Sequence, residues 1–140
     1  MVLGQKLFEG KGKSGAGFIK WVGMEGVAQM YSWSAQVKGL GQAKGLELNL
    51  AVTAKGMTPS KGLGTSKDQG VFNTTTGEMG VLKGYDIAKM AEGKAMSVGL
   101  WSFMTMSEKL SWMNDLIAVV TFEAMDPMWQ EFNITIHEWK

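Results

Sequence analysis

The chain has 140 residues, with 14 basic and 13 acidic side chains, one histidine, no cysteine and a net charge of +1. Disulfides, thiolate metal sites and histidine metal clusters are therefore excluded, while one domain spanning 1–140 is long enough to bury roughly 68% of its unfolded surface without covalent staples. Every basic residue is lysine, so the guanidinium forks that clamp phosphate or read guanine are missing, and no nucleic-acid partner is expected.

In chain order, period-2 alternation and turn chemistry predict strands near 4–12, 16–23, 26–38, 43–56, 61–66, 69–76, 78–85, 95–106, 116–124 and 128–139, some of the short ones being halves of one bent strand. Met1–Gly12 has neither a sustained apolar core nor a small-residue cleavage site, so no secretory signal is expected and the location reads as cytoplasmic. Between the first two strands, Gly10-Lys11-Gly12-Lys13-Ser14-Gly15 matches a dinucleotide-binding spacing, but Ala16–Trp21 reads as strand where that motif needs a helix. The run is expected to be a glycine-rich hairpin connection. From Val27 to Lys38, one face carries Val27, Gln29, Tyr31, Trp33, Ala35 and Val37. From Leu46 to Lys55, positions 46, 48, 50, 52 and 54 are all apolar and their neighbours polar or small.

Thr76-Gly77 is a hairpin signal between two later strands. Asp86–Glu92 and Ser107–Asn114 each read as a short helical turn, the second capped by Ser107. Neither is long enough for a βαβ crossover. Val98–Met106 and Leu116–Phe122 are apolar on both faces, which in an antiparallel sheet requires the outer wall to be covered. A homo-oligomer using the methionines of this wall is the expected cover. In the last strand, Phe132, Ile134 and Ile136 share one face, and Glu131, Asn133, Thr135 and His137 the other. No stretch approaches the ~18 consecutive apolar residues of a membrane span.

The fold class is all-β: an antiparallel meander closed into a lipocalin-like barrel of about eight strands with one or two short helical turns, closure being what removes sheet edges. A two-sheet sandwich is the alternative. Inward aromatic residues Tyr31, Trp33, Trp101 and Phe103 suit a pocket for a small apolar ligand and equally suit a packed interior. If the final strand presents its polar face to the cavity, Glu131, Asn133 and His137 join them as ligand-binding residues. If Phe132, Ile134 and Ile136 line the interior instead, that row faces solvent. Asp68, Asp86, Asp115 and Asp126 read as separate loop residues, and no metal site or cofactor is expected.

Leu7-Phe8-Glu9-Gly10-Lys11, Gly77-Glu78-Met79 and the closing Glu138-Trp139-Lys140 resemble a family of small uncharacterised prokaryotic proteins that begin with Phe-x-Gly-Lys and end in Trp-Glu-Trp-Lys, with His137 here in place of the first tryptophan. At the level of fold the pattern is similar to calycin-like and allene oxide cyclase-like β-barrels. That resemblance implies apolar-ligand binding or, in the second case, a cyclisation. Three functions follow as expectations: a barrel binding a small apolar ligand, a homo-oligomeric interaction module, and a cofactor-free isomerase or cyclase.

Overall fold

The computed structural model describes residues 3–91 and 93–140. Eight antiparallel strands run β1 (Leu3–Gly23), β2 (Gly26–Gly39), β3 (Glu47–Pro59), β4 (Gly64–Thr74), β5 (Met79–Ala91), β6 (Lys94–Thr105), β7 (Ile117–Ala124) and β8 (Glu131–Trp139). Each pairs with the next, and β8 returns to β1, so the sheet is a closed barrel and not a sandwich. Alternation sets which side chains enter. In β3, Leu48, Leu50, Val52 and Ala54 are buried, and in β8 Phe132, Ile134 and Ile136 are. The same phase in β2 buries Trp33, Ala35 and Val37.

Three local expectations are corrected. Gly10–Gly15 is no hairpin connection: it lies within β1, whose residues 8–14 pair with β2 on one side while residues 8–13 pair with β8 on the other. A Cβ at Gly12 would fall 2.4 Å from the Phe132 ring, so the glycine leaves the room that this core ring fills. Residues 86–91 are not helical but continue β5, paired with β6 as far as Ala91 opposite Lys94; Glu92 lies outside the described residues. The turn after β6 is a 3-10 turn at Ser111–Asp115, entered from Leu110 without a side-chain cap, so Ser107 does not cap it.

That second turn closes one end of the barrel. Leu110 and Met113 are fully buried and join Leu7, Phe8, Ala43 and Leu116 in the core. Hydrogen bonds hold the plug in place. The Thr105 amide donates to Asn114 Oδ1 at 2.7 Å, Asn114 Nδ2 donates to the Thr105 carbonyl at 3.1 Å, and Lys109 meets Glu78 at 3.1 Å. The Thr76 hydroxyl and Lys109 together lower the Glu78 carboxyl to about 2. Above the plug the middle of the barrel is filled by aromatic rings: Trp33 and Trp101 lie 5.7 Å apart, and Phe72 and Phe103 5.9 Å apart edge to face.

The opposite end is not plugged. Beyond Lys13, β1 leaves β8 and continues only against β2, so the β1–β2 hairpin stands above the rim with Phe18, Ile19, Trp21 and Val22 exposed.

Candidate functional site

A cavity of about 360 Å³ occupies the open end. It exists because successive rungs of the inner wall carry small residues. One row runs Tyr31, Ala54, Asp68, Gly84, Trp101 from β2 to β6, and the next runs Gln29, Gly56, Ser66, Asp86, Gly99. Two large side chains lean over the glycines. A Cβ at Gly84 would sit 2.0 Å from the Trp101 indole, and one at Gly99 would sit 1.7 Å from Asp86 Oδ1. With both positions bare, the indole and the carboxylate meet, and Trp101 Nε1 donates to Asp86 Oδ1 at 3.2 Å. Ser66 Oγ donates to the other oxygen, Oδ2, at 3.3 Å.

Two carboxylates therefore share this wall, on neighbouring strands and one rung apart. Asp86 is 3% exposed and Asp68 6%. Burial raises the Asp86 carboxyl from 3.8 to about 6, against the opposing pull of the Trp101 and Ser66 donors. Asp68 Oδ2 is buried and has no hydrogen-bond partner. Burial also raises the Tyr31 phenol, with Ser66 pulling it back and the charge of Asp86 pushing further. Among the described residues no three histidine, aspartate or glutamate side chains converge in a way that would hold a metal ion.

The far wall and rim are aromatic. Trp33 meets Phe122 and Phe132 edge to face, each with centroids at 5.5 Å. Trp129 hangs over the rim from the β7–β8 loop, 6.3 Å from Phe132. The loop is built on Asp126, whose carboxylate accepts the amides of Met128, Gln130 and Glu131 and is held below its ordinary pKa by those bonds, chiefly the ones from Gln130 and Glu131. Its tightest point is Trp129 itself, with φ 56, a left-handed conformation that a bulky residue adopts only under constraint. The Ser14 hydroxyl donates to the Trp129 carbonyl and the Ser14 amide to that of Gln130, so β1 fixes the loop from the other side.

Of the residues expected at a ligand site, Tyr31 and Trp33 line the cavity. Trp101 and Phe103 lie buried beneath it, Trp101 acting on Asp86 and Phe103 packing against Phe72. Glu131, Asn133 and His137 are elsewhere: Phe132, Ile134 and Ile136 take the interior, and alternation turns this row to the outer wall. There His137 stands opposite Lys6 and Val119, and burial together with the Lys6 ammonium holds its imidazole below the usual range. Glu123 likewise faces outward and pairs with Lys94 at 3.0 Å. The reading of Asp68 and Asp86 as separate loop residues is corrected, since both are strand residues facing one cavity. Their phase was the available signal: Asp68 stands in step with Gly70 and Phe72, and Asp86 with Leu82 and Gly84.

No protein-family model matches the chain, and no curated protein matches it in sequence. Solved structures do match. A protein of unknown function from Clostridium acetobutylicum superposes with a TM-score of 0.81 at 12% identity, covering 99% of this chain and 97% of that one. A β-barrel-like protein from Acinetobacter baumannii gives a TM-score of 0.78 at 16% identity, covering 99% and 96%. An enzyme from Penicillium herquei gives 0.68 at 14% identity, covering 96% and 92%. The likeness is one of fold.

Proposed function

We propose that the open end of the barrel is a lipocalin-like cup for a small molecule, whose apolar body lies against Tyr31, Trp33 and Trp129 and whose polar group reaches Asp68 and Asp86. The observation that carries this reading is Asp68 Oδ2, buried without a partner in the wall of a 360 Å³ cavity. Native structures rarely leave such an atom unpaired, and a ligand that donates to it explains the arrangement. The small apolar ligand expected from the aromatic residues alone thus becomes an apolar body with a hydrogen-bond donor. The neutral dye Nile red tests the cup: its emission shifts to the blue with the native chain, and the shift is lost when Ser97→Phe fills the mouth. Equal binding to both proteins contradicts the reading.

A second reading, cofactor-free acid–base chemistry of the isomerase or cyclase kind, is supported by Asp86, whose carboxyl titrates near 6 inside a cavity and so can exchange a proton near neutral pH. The Penicillium herquei neighbour, described as an enzyme, is consistent with catalysis on such a barrel. Homo-oligomerisation is proposed through the outer wall of β5 to β7. Tyr85 lies beside Leu100 and Ile87 beside Val98, all four exposed, with Ile117 near by. Light scattering that returns a monomer at micromolar concentration overturns that assembly. The described residues hold no helix long and apolar enough to cross a membrane. A cytoplasmic location accords with the absence of cysteine from the sequence, and the terminal motifs keep the resemblance to the small prokaryotic family as a proposal.

A further inference from the structure

We propose that the ligand of this cup is an organic cation, specifically a protonated primary or secondary amine carried on an apolar body; the inference rests on the reading of the open end as a ligand site and names the class of molecule it takes. The first support is the charge of the wall. Among the described residues the cavity is lined by two carboxylates and by no lysine, arginine or histidine. Alternation is the cause: Lys55 in β3, Lys67 in β4 and Lys83 and Lys89 in β5 all fall in the outward phase, opposite to Ala54, Asp68 and Asp86. No described side chain of the cavity wall can neutralise these carboxylates.

The second support is an inventory of donors. Asp86 already receives one bond at each oxygen, from Trp101 and Ser66. Asp68 keeps a buried oxygen with none. A quaternary ammonium has no N–H to offer that atom, whereas a primary or secondary ammonium supplies both the proton and the charge. The third support is the aromatic surface: Tyr31, Trp33 and Trp129 present rings around the same space, and aromatic faces attract cations. A neutral alcohol satisfies only the missing hydrogen bond, and an anion meets two carboxylates.

The experiment is calorimetric titration of the full chain at pH 8 with three probes of one shape: 2-phenylethylamine, 2-phenylethanol and 3-phenylpropionate. The amine is expected to bind at least tenfold more tightly than the alcohol, with no heat from the acid. Asp68→Asn and Asp86→Asn are expected to reduce the amine's advantage over the alcohol by tenfold or more. Equal binding of amine and alcohol by the native chain overturns the cation inference without needing either variant. If this happens while Nile red still binds and is displaced by Ser97→Phe, the cup stands and only its charge preference fails. If neither the dye nor any probe binds, the cup reading falls and the inference falls with it.

Discussion

At the closed end of the barrel the core is apolar, with Leu110 and Met113 sealed from water and Asn114 meeting both backbone groups of Thr105. At the open end the same alternating strands place Asp68, Asp86, Ser66 and Gln29 inside, and Tyr85, Ile87, Val98 and Leu100 outside. The first arrangement lowers the free energy of the fold. The second raises it, because carboxylates are desolvated. The desolvated carboxylates of the open end are the cost that the proposed ligand site explains.

The contrast is broken most severely at the plug. Met113→Ala empties a fully buried site where the surrounding strands cannot collapse, and is expected to cost about 2–5 kcal/mol in urea unfolding. A loss below about 1 kcal/mol means that the closed end is not packed as described. The opposite sign is expected at the other end. The Asp86 carboxyl has a higher pKa in the fold, about 6, than the ordinary 3.8. Between these values the folded chain holds a proton that the unfolded chain has released, so stability is greatest at or below about pH 4 and declines as pH rises to about 6. Above that window the buried charge costs about 3 kcal/mol, at ~1.4 kcal/mol per pH unit. Asp86→Asn should therefore stabilise the protein at pH 7.5 by up to about 3 kcal/mol, with the gain gone at pH 4. A gain that is the same at both pH values rules out buried charge as its source.

Smaller changes sharpen the comparison. Asp126→Ala removes the acceptor of three loop amides and should speed hydrogen exchange at Met128, Gln130 and Glu131 while the Leu110–Met113 plug keeps its protection. Unchanged exchange in the loop means that Trp129 is held by something other than Asp126. Lys94→Ala breaks an exposed pair at the rim and should change stability by roughly 0.5 kcal/mol or less, as measured by thermal unfolding. A larger loss makes the rim more than a solvated border.

The closed half was the legible half. Leu48, Leu50 and Val52, or Ile134 and Ile136, announce the inward face because apolar positions alternate with polar ones, and the barrel follows from many such strands with no crossover helix. The carboxylate site escaped notice because β5 reverses that code. Its outward residues Tyr85 and Ile87 are large and apolar, whereas its inward Gly84, Asp86 and Ala88 are small or charged. A reading that sends apolar residues inward loses the strand there, and a helical turn takes its place. Gly12 misleads similarly, since a glycine that makes room for Phe132 looks locally like one that makes a turn. Local rules fail where a site needs space and charge more than it needs packing.

The most direct test is a carboxyl-detected NMR titration of Asp86 in the full chain, alone and with 2-phenylethylamine at saturating concentration. A midpoint near 6 for the free protein, moving to lower pH when the amine is added, is the predicted result. A midpoint at the ordinary 3.8 that the amine does not move contradicts the account, because Asp86 is then neither desolvated by the cavity nor in reach of what enters it.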